Sequence, residues 1–291
     1  CYFLRVLHLV PCNLAQEAIC DDKTNSELAM DSTSDYIDGL QTDGIMAFST
    51  EKAVHDLGGS VPAVRARLRR LKEQGRIADP YRGFHVIVPP QYRRLGCQPA
   101  ENFVPLLMKH LREPYYVSLL SAAALHGASH QAPMAFQVMV AKSRRGLACG
   151  KVRVDFVARR DMDRTCVVER NVPTGILRVA SPEATALEVV GYPEHCGYLD
   201  NVATVLAELA EGGLDGSALV AEALRAPTAW VQRLGYLFTL VGADALAGHL
   251  DGVLAKRSVL TVPLAQWLRF GGAPRDARWR LAINTDVEPD V

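Results

Sequence analysis

Residues 49–74 carry apolar side chains at helical spacing, interrupted once by a pair of glycines. Ser49 or Thr50 can cap a first helix, and Gly58 can end it because glycine readily adopts the conformation found at helix C-termini. Ser60 can cap a second helix in the same way. The predicted apolar side of this second helix consists of Val61, Val64, Leu68 and Leu71. The pattern therefore predicts two consecutive helices joined by a tight turn.

The next residues predict a two-stranded hairpin. A strand is expected at 76–78, a turn at 79–83 (DPYRG) and a returning strand at 84–88. A short amphipathic segment at 34–40 precedes both helices. The order is then helix, helix, basic helix and two-stranded wing. This is the order of a winged helix-turn-helix, which we expect over residues 30–97.

A second, larger region is expected from residue 98 onward. It begins within a predicted linker at 92–103, in which the periodicity lapses. Helices are predicted at 104–111, 115–127, 181–192, 199–210, 217–225 and 228–242. Strands are predicted at 136–141, 151–158, 175–180 and 278–287. The expected fold class is α+β: an N-terminal winged helix-turn-helix followed by a larger α+β domain (98–291) with early strands and late helices.

Charge separates along a chain that is neutral overall, with 32 basic and 32 acidic residues. Residues 60–82 hold seven basic side chains against two acidic ones, a net charge of +5, so the remainder carries −5. Local asymmetry of this kind favours contact with nucleic acid. The alternative is a solvated helix whose arginines serve solubility. The small residues Ala63 and Ala66 favour the first interpretation, because they would let the helix approach a groove closely.

Each basic side chain of this segment has an expected role on double-stranded DNA. Arg65, Arg69 and Arg70 are the candidates for base-edge or phosphate contacts, because the arginine fork pairs bidentately with guanine. Phosphate contacts, which position the protein without reading sequence, are expected from Arg67, Lys72 and Arg76. Arg82 at the wing tip is expected to reach the minor groove or the backbone. Ser60, at the helix N-terminus, is expected to meet a phosphate.

The start of the chain and its cysteines bear on its origin and compartment. The first methionine is Met30, and we interpret residues 1–29 as a non-native or read-through extension, with an ordinary N-terminal helix as the alternative. The seven cysteines are scattered and form no CxxC pair, which favours a reducing cytoplasm with free thiols. The chain contains no apolar run long enough for a membrane span, so no membrane partner is expected.

No motif in the chain predicts a catalytic residue. The sequence GLACGK (146–151) is one residue short of a phosphate-binding loop, and Val152 stands where that loop needs Ser or Thr. Asp155, with Glu169 and Glu183 downstream, could imitate a nuclease carboxylate cluster, but we expect Asp155 to be a strand residue facing water or a partner. We therefore predict that the protein is not an enzyme.

Neither a metal nor a cofactor is expected. His126 and His130 are four residues apart, but Gly127 would end a helix between them, so a structural pair is favoured over metal ligands. Cys149 and Cys166 have no evident activating histidine and are expected to be inert thiols. The second domain is therefore predicted to be a binding or interaction module.

Several segments, taken in order, resemble the AbiEi family, the antitoxins of type IV toxin–antitoxin systems related to phage abortive infection. These segments are FSTEKAVHDLGGSVPAVRARLRRLKEQGRIADPYRGFHVIVPPQYRRLGC, YYVSLLSAAALHGASHQAPMAFQVMV, VASPEATALEVVGY, LDNVATVLAEL, VQRLGYL and RLAINTDVEPD. The likeness covers about residues 35–291.

The resemblance implies that the winged helix represses the protein's own operon by binding inverted repeats in the promoter. It also implies that the C-terminal domain (98–291) counters a cognate nucleotidyltransferase toxin, with or without lasting contact. The carboxylates of Asp286, Glu288 and Asp290 are hypothesised to face a basic toxin surface or to compete with its nucleotide or RNA substrate, with a solvated tail as the alternative.

Two other interpretations of the function remain open. One is an effector-responsive winged-helix transcription factor whose second domain binds a small molecule. A ligand pocket with converging polar groups would favour it. The other is a nuclease or transferase fused to a DNA-binding module, which a clustered carboxylate–lysine site would favour.

Overall fold

The structure is a computed structural model that describes residues 33–128 and 133–290. The predicted extension at 1–29 and His130 lie outside the described residues. The helices are α1 (33–42), α2 (Thr50–Leu57), α3 (Val61–Glu73), α4 (Ala100–Leu111), α5 (Leu119–Leu125), α6 (Pro182–Gly191), α7 (Tyr198–Glu211), α8 (Gly216–Arg225), α9 (Thr228–Leu240) and α10 (Asp244–Leu254). The strands are β1 (Ala47–Ser49), β2 (Ile77–Tyr81), β3 (Phe84–Ile87), β4 (Tyr115–Val117), β5 (Phe136–Val140), β6 (Leu147–Cys149), β7 (Val152–Ala158), β8 (Val167–Val172), β9 (Gly175–Ala180), β10 (Val262–Pro263), β11 (Arg275–Asp276) and β12 (Leu281–Ala282).

Three sheets organise these elements. The first has the antiparallel order β1-β3-β2 and lies beside α1, α2 and α3. The second is a six-stranded mixed sheet with the order β6-β7-β5-β4-β9-β8, in which β5 pairs with β7 in parallel and β4 with β9 in parallel. The third is a small sheet with the order β10-β12-β11. The helices from α6 to α10 follow the main sheet, so the α+β class is confirmed, with early strands and late helices.

The β2–β3 hairpin faces two hydrophobic cores. Ile77 and Ile87 belong to a small core formed with α1, α2 and α3. Phe84 and Val86 belong to the large core that contains the main sheet and the late helices. Because the hairpin is shared, the basic helix and the main sheet are joined through packed side chains rather than through a free tether.

The predicted linker at 92–103 is wrong as a description of this junction. Cys97 and Gln98 are 0% and 1% exposed. The side chain of Gln98 donates a 2.6 Å hydrogen bond to the carbonyl oxygen of Ile87, at the end of the hairpin. Helix α4 begins at Ala100, inside the predicted linker. Proline and glycine here make a compact turn instead of an extended connection.

The structure corrects four further assignments. The helix predicted at 115–127 contains strand β4 at its start, where Tyr115 to Val117 pair with β5 and β9. The strand predicted at 278–287 is limited to β12. Val61, predicted on the apolar side of α3, is 42% exposed. Strands β6 and β8 and helix α10 are absent from the sequence prediction; β6 and β8 lack a regular apolar alternation, whereas α10 buries Ala247, Leu250, Val253 and Leu254 at helical spacing.

Candidate nucleic-acid interface

Helix α3 is built to present a basic surface. Its N-cap is Ser60, whose hydroxyl accepts a hydrogen bond from the amide of Ala63 at 3.4 Å, as the sequence predicts. Val64, Leu68 and Leu71 are buried in the small core. Because these three residues occupy one side of the helix, the arginines are turned toward the other sides.

The arginines of α3 and of the hairpin turn are available to a ligand. Arg65, Arg69, Arg70 and Arg82 are exposed, and Arg67 is half-buried at the edge of the helix. Within the part of the chain that the structure describes, none of their side chains takes part in an ion pair or a hydrogen bond. Four of them share one helix, and Arg82 lies at the tip of the β2–β3 hairpin.

Two predicted phosphate contacts are already engaged with carboxylates. Lys72 forms an ion pair with Asp79 of β2 at 3.0 Å, and Arg76 pairs with Asp38 of α1. These pairs join α3 and its following turn to neighbouring elements. The positive charge of Lys72 and Arg76 is therefore partly compensated within the protein, so we expect both to contribute less to phosphate binding than the unpaired arginines. The hydroxyl of Ser60 accepts a hydrogen bond at the cap, so the cap does not use the hydroxyl proton.

Asp79 is the centre of a polar network that fixes the hairpin. It accepts a 2.7 Å hydrogen bond from Nδ1 of His85, and Nε2 of the same ring lies 2.9 Å from the hydroxyl of Thr50. Partial burial opposes ionisation of Asp79, but the bonds from His85 and Lys72 outweigh it and hold the pKa of Asp79 below its ordinary value. An ionised Asp79 thus ties α2, α3 and the hairpin together.

Two arginines distant in sequence also reach the hairpin turn. Arg144 and Arg145 lie in the loop between β5 and β6, and the guanidinium of Arg144 is 5.6 Å from the centre of the Tyr81 ring. They were not among the predicted site residues. No local signal marks them, because their loop meets the hairpin only when the main sheet has formed.

The described residues that the sequence offers as catalytic or metal-binding candidates are not brought together. The sequence GLACGK forms the β6–β7 hairpin, with Gly150 at its turn. The imidazole Nε2 of His126 bonds the carbonyl oxygen of Ala180 at 2.7 Å, which is a structural contact. Asp155 on β7 and Glu169 on β8 are on strands far apart in the six-stranded order. Within residues 33–128 and 133–290, no three His, Cys, Asp or Glu side chains are grouped as metal ligands.

The main sheet and its helices enclose a polar network that the sequence did not reveal. Glu188 of α6 accepts hydrogen bonds at one carboxylate oxygen from the hydroxyl of Tyr116 (2.6 Å) and from Arg159 (2.8 Å). Arg159 also bonds Asp161 and lies 5.3 Å from the centre of the Trp230 ring. These residues come from β4, α6, α9 and the segment after β7, so the network is a product of the tertiary fold.

Comparison with known proteins places this second region in a defined class. Residues 116–240, from within β4 to the end of α9, match the model of an antitoxin domain. A match to this domain supports an antitoxin role in a toxin–antitoxin system. An antitoxin role in turn implies a toxin as partner. The matched model is that of the AbiEi antitoxin C-terminal domain. The resemblance to AbiEi antitoxins is thereby confirmed, and that family is not an enzyme family.

The fold has a counterpart among solved structures. The crystal structure of the RV2827C protein from Mycobacterium tuberculosis is similar with a TM-score of 0.62 and 19% sequence identity, over 86% of this chain and 90% of that chain. At this identity the likeness concerns the fold alone. Comparison with curated proteins gives no match. None of the helices in the described ranges is long and apolar enough to cross a membrane.

Proposed function

We propose that the protein is the antitoxin and transcriptional autorepressor of a type IV toxin–antitoxin operon that acts in phage defence in the cytoplasm. Residues 30–97 act as a winged helix-turn-helix that binds inverted repeats in the operon's own promoter. Residues 98–291 counter a cognate nucleotidyltransferase toxin. The observation that carries the DNA-binding part is the set of unpaired arginines on α3 and at the hairpin turn.

The proposed docking follows from which side of α3 is buried in the small core. Helix α3 enters the major groove, because its apolar side is occupied by the small core and its opposite side is free. Arg65, Arg69 and Arg70 contact base edges or phosphates, and Arg67 contacts a phosphate. Arg82 at the hairpin tip contacts the minor groove or the backbone beside it. Glu73 lies on the same exposed side as Arg69 and disfavours closer approach at the helix C-terminus.

The test is a fluorescence anisotropy titration of the full chain with the duplex upstream of its own gene. The full chain is used because a cut after residue 97 would expose Phe84 and Val86, which pack in the large core. Binding is measured across a salt series and against a shuffled duplex. Each phosphate contact contributes about −0.9 to the slope of log affinity against log salt.

The variant Arg69→Ala isolates the proposed contact. It removes an exposed, unpaired side chain, so the fold is expected to persist. A good bidentate base contact contributes about 1–3 kcal/mol, so specific affinity should fall about tenfold or more. The matched control is Arg160→Ala, which removes another exposed, unpaired arginine outside α3 and the hairpin. Equal affinities of the two variants for the promoter duplex would show that Arg69 is a solubility residue.

The toxin-countering part of the proposal includes the acidic end of the chain. The backbone amides of Glu288 and Asp290 donate hydrogen bonds to Asp200 (3.0 Å) and Thr204 (2.9 Å) of α7. The side chains of Asp286, Glu288 and Asp290 remain exposed along this docked segment. The backbone that carries these carboxylates is thus attached to α7 at two positions, which suits a basic surface of the toxin better than a loose tail would.

Neutralisation in cells that express the neighbouring toxin tests this role. The triple variant Asp286→Asn, Glu288→Gln, Asp290→Asn removes the charges while leaving the backbone bonds to α7 in place. We expect weaker rescue of growth at equal antitoxin level. Full rescue by the triple variant would remove the acidic segment from the mechanism and leave the rest of residues 98–291 as the neutralising surface.

A further inference from the structure

A cavity of about 420 Å³ lies between the β2–β3 hairpin and the main sheet. The hairpin contributes Tyr81 and Arg82 to its wall, α4 contributes Leu111, and the loop before β6 contributes Arg144 and Arg145. The volume is in the range of small-molecule sites, which is roughly 300–1,000 Å³. The cavity therefore has room for a ligand and touches both parts of the protein.

The polar groups of the cavity are mainly positive. The described lining residues include three arginines, Arg82, Arg144 and Arg145. Asp79 is the one carboxylate among them. Asp79 is already compensated by Lys72 at 3.0 Å and bonded to His85. Within the described chain, Arg82 and Arg145 have no ion-pair partner. The cavity thus carries an excess of positive charge that an anion would neutralise.

The guanidinium of Arg144 is fixed by its contacts, but one of its hydrogen-bond donors has no acceptor among the described residues. One of its terminal nitrogens bonds Glu113 at 2.6 Å, and its guanidinium lies 5.6 Å from the centre of the Tyr81 ring and 5.9 Å from that of Phe156. Its Nε–H is buried and has no acceptor among the described residues. A buried donor without an acceptor is unfavourable, and a ligand oxygen would satisfy it. The guanidinium is therefore preorganised for an anionic group.

The remainder of the wall is apolar. Leu107, Leu111, Leu147 and Phe156 line the side formed by α4 and the main sheet. Such a surface suits a hydrocarbon or aromatic body rather than a free inorganic ion. We propose that this cavity binds a small organic anion, with its acidic group at Arg82, Arg144 and Arg145 and its apolar body against the leucines and Phe156.

Such a ligand would connect the hairpin to the main sheet. Arg82 belongs both to the cavity and, on the proposed function, to the DNA interface. An anion that holds Arg82 competes with the DNA phosphate for it, so ligand and promoter DNA weaken each other's binding by the same factor. This consequence depends on the proposed function, whereas the binding site itself does not. A pocket of this kind is also what an effector-responsive regulator requires.

The test uses anilinonaphthalene sulfonate, a fluorescent probe with a sulfonate group on an apolar aromatic body, titrated into the full chain without DNA. The uncharged phenylnaphthylamine, which lacks only the sulfonate, is the reference ligand. We expect saturable binding of the sulfonate at one site and weaker binding of the neutral compound. Absence of saturable binding, or equal affinity for both compounds, would overturn the proposal.

Three variants locate the site. Arg145→Ala removes an exposed, unpaired arginine and should weaken sulfonate binding about tenfold, because a charge-assisted hydrogen bond is lost. Leu111→Trp fills the cavity from α4 and should abolish binding. The control Arg160→Ala should bind as the unmodified protein does. Unchanged affinity in Arg145→Ala would overturn the assignment even if Leu111→Trp proved unstable, since the arginine variant disturbs no packing.

Promoter binding in the presence of the sulfonate is measured separately. Lower DNA affinity in the unmodified protein, but not in Arg145→Ala, would support the coupling. Sulfonate binding without any effect on DNA affinity would retain the site and reject the coupling. Loss of all promoter binding without the probe would instead count against the proposed function.

Discussion

Glu188 gives the protein a pH dependence whose sign distinguishes two physical effects. The residue is 1% exposed. One of its carboxylate oxygens accepts from Tyr116 and Arg159, while the other has no partner among the described residues. Burial raises its pKa from the ordinary value of 4.5 to about 7, although the bonds from Tyr116 and Arg159 favour the ionised form. Desolvation thus outweighs the ion pair at this position.

The perturbation is Glu188→Gln, which keeps the shape and removes the ionisable group. In the unmodified protein the folded state holds a proton between pH 4.5 and about 7 that the unfolded state has lost. The stabilisation from this proton is complete below pH 4.5 and is lost as the pH rises to about 7. A pKa difference of this size corresponds to about 3 kcal/mol.

The assay is urea denaturation of both proteins at a series of pH values, compared as the difference in free energy of unfolding. The free energy of the unmodified protein should fall by about 3 kcal/mol relative to Glu188→Gln across this interval and then stay level. The control Glu169→Gln removes an exposed carboxylate of β8 and should produce no comparable fall. A difference that is flat, or that rises with pH, would show that Arg159 holds Glu188 ionised and would refute the reasoning.

Four further substitutions test packing and helix capping. Gly235→Ala, in α9, places a methyl group against the buried ring of Trp279 and should lower the free energy of unfolding by roughly 1–3 kcal/mol, whereas Gly248→Ala, with open space in α10, should raise it by up to about 1 kcal/mol in the same urea assay. Gly150→Ala combines a positive φ of 58° with overlap on the carbonyl oxygen of Leu95, so its thermal midpoint should fall; an unchanged midpoint would mean that the β6–β7 hairpin does not pack tightly on the residues before α4. Ser49→Ala removes the cap of α2, where the hydroxyl accepts from Lys52 at 3.1 Å, and should cost about 1 kcal/mol by chemical denaturation.

The sequence by itself determined the local elements whose signals are chemical and short-range. The hydroxyls of Ser49 and Ser60 cap α2 and α3 as predicted, because capping needs only a side-chain oxygen and the next turn of the helix. The side of α3 on which the arginines lie is likewise determined by the spacing of its apolar residues, because that spacing decides which side is buried. These signals are contained within one or two helical turns.

The tertiary structure decided every feature that joins distant segments. The segment from Tyr115 to Val117 is a strand because β5 and β9 flank it, although its neighbours are helical. The pairing of Lys72 with Asp79, and the approach of Arg144 to Tyr81, likewise depend on the folded chain. A sequence states which residues are charged or apolar, but their partners are set by long-range packing, and packing determines which arginines remain free to bind.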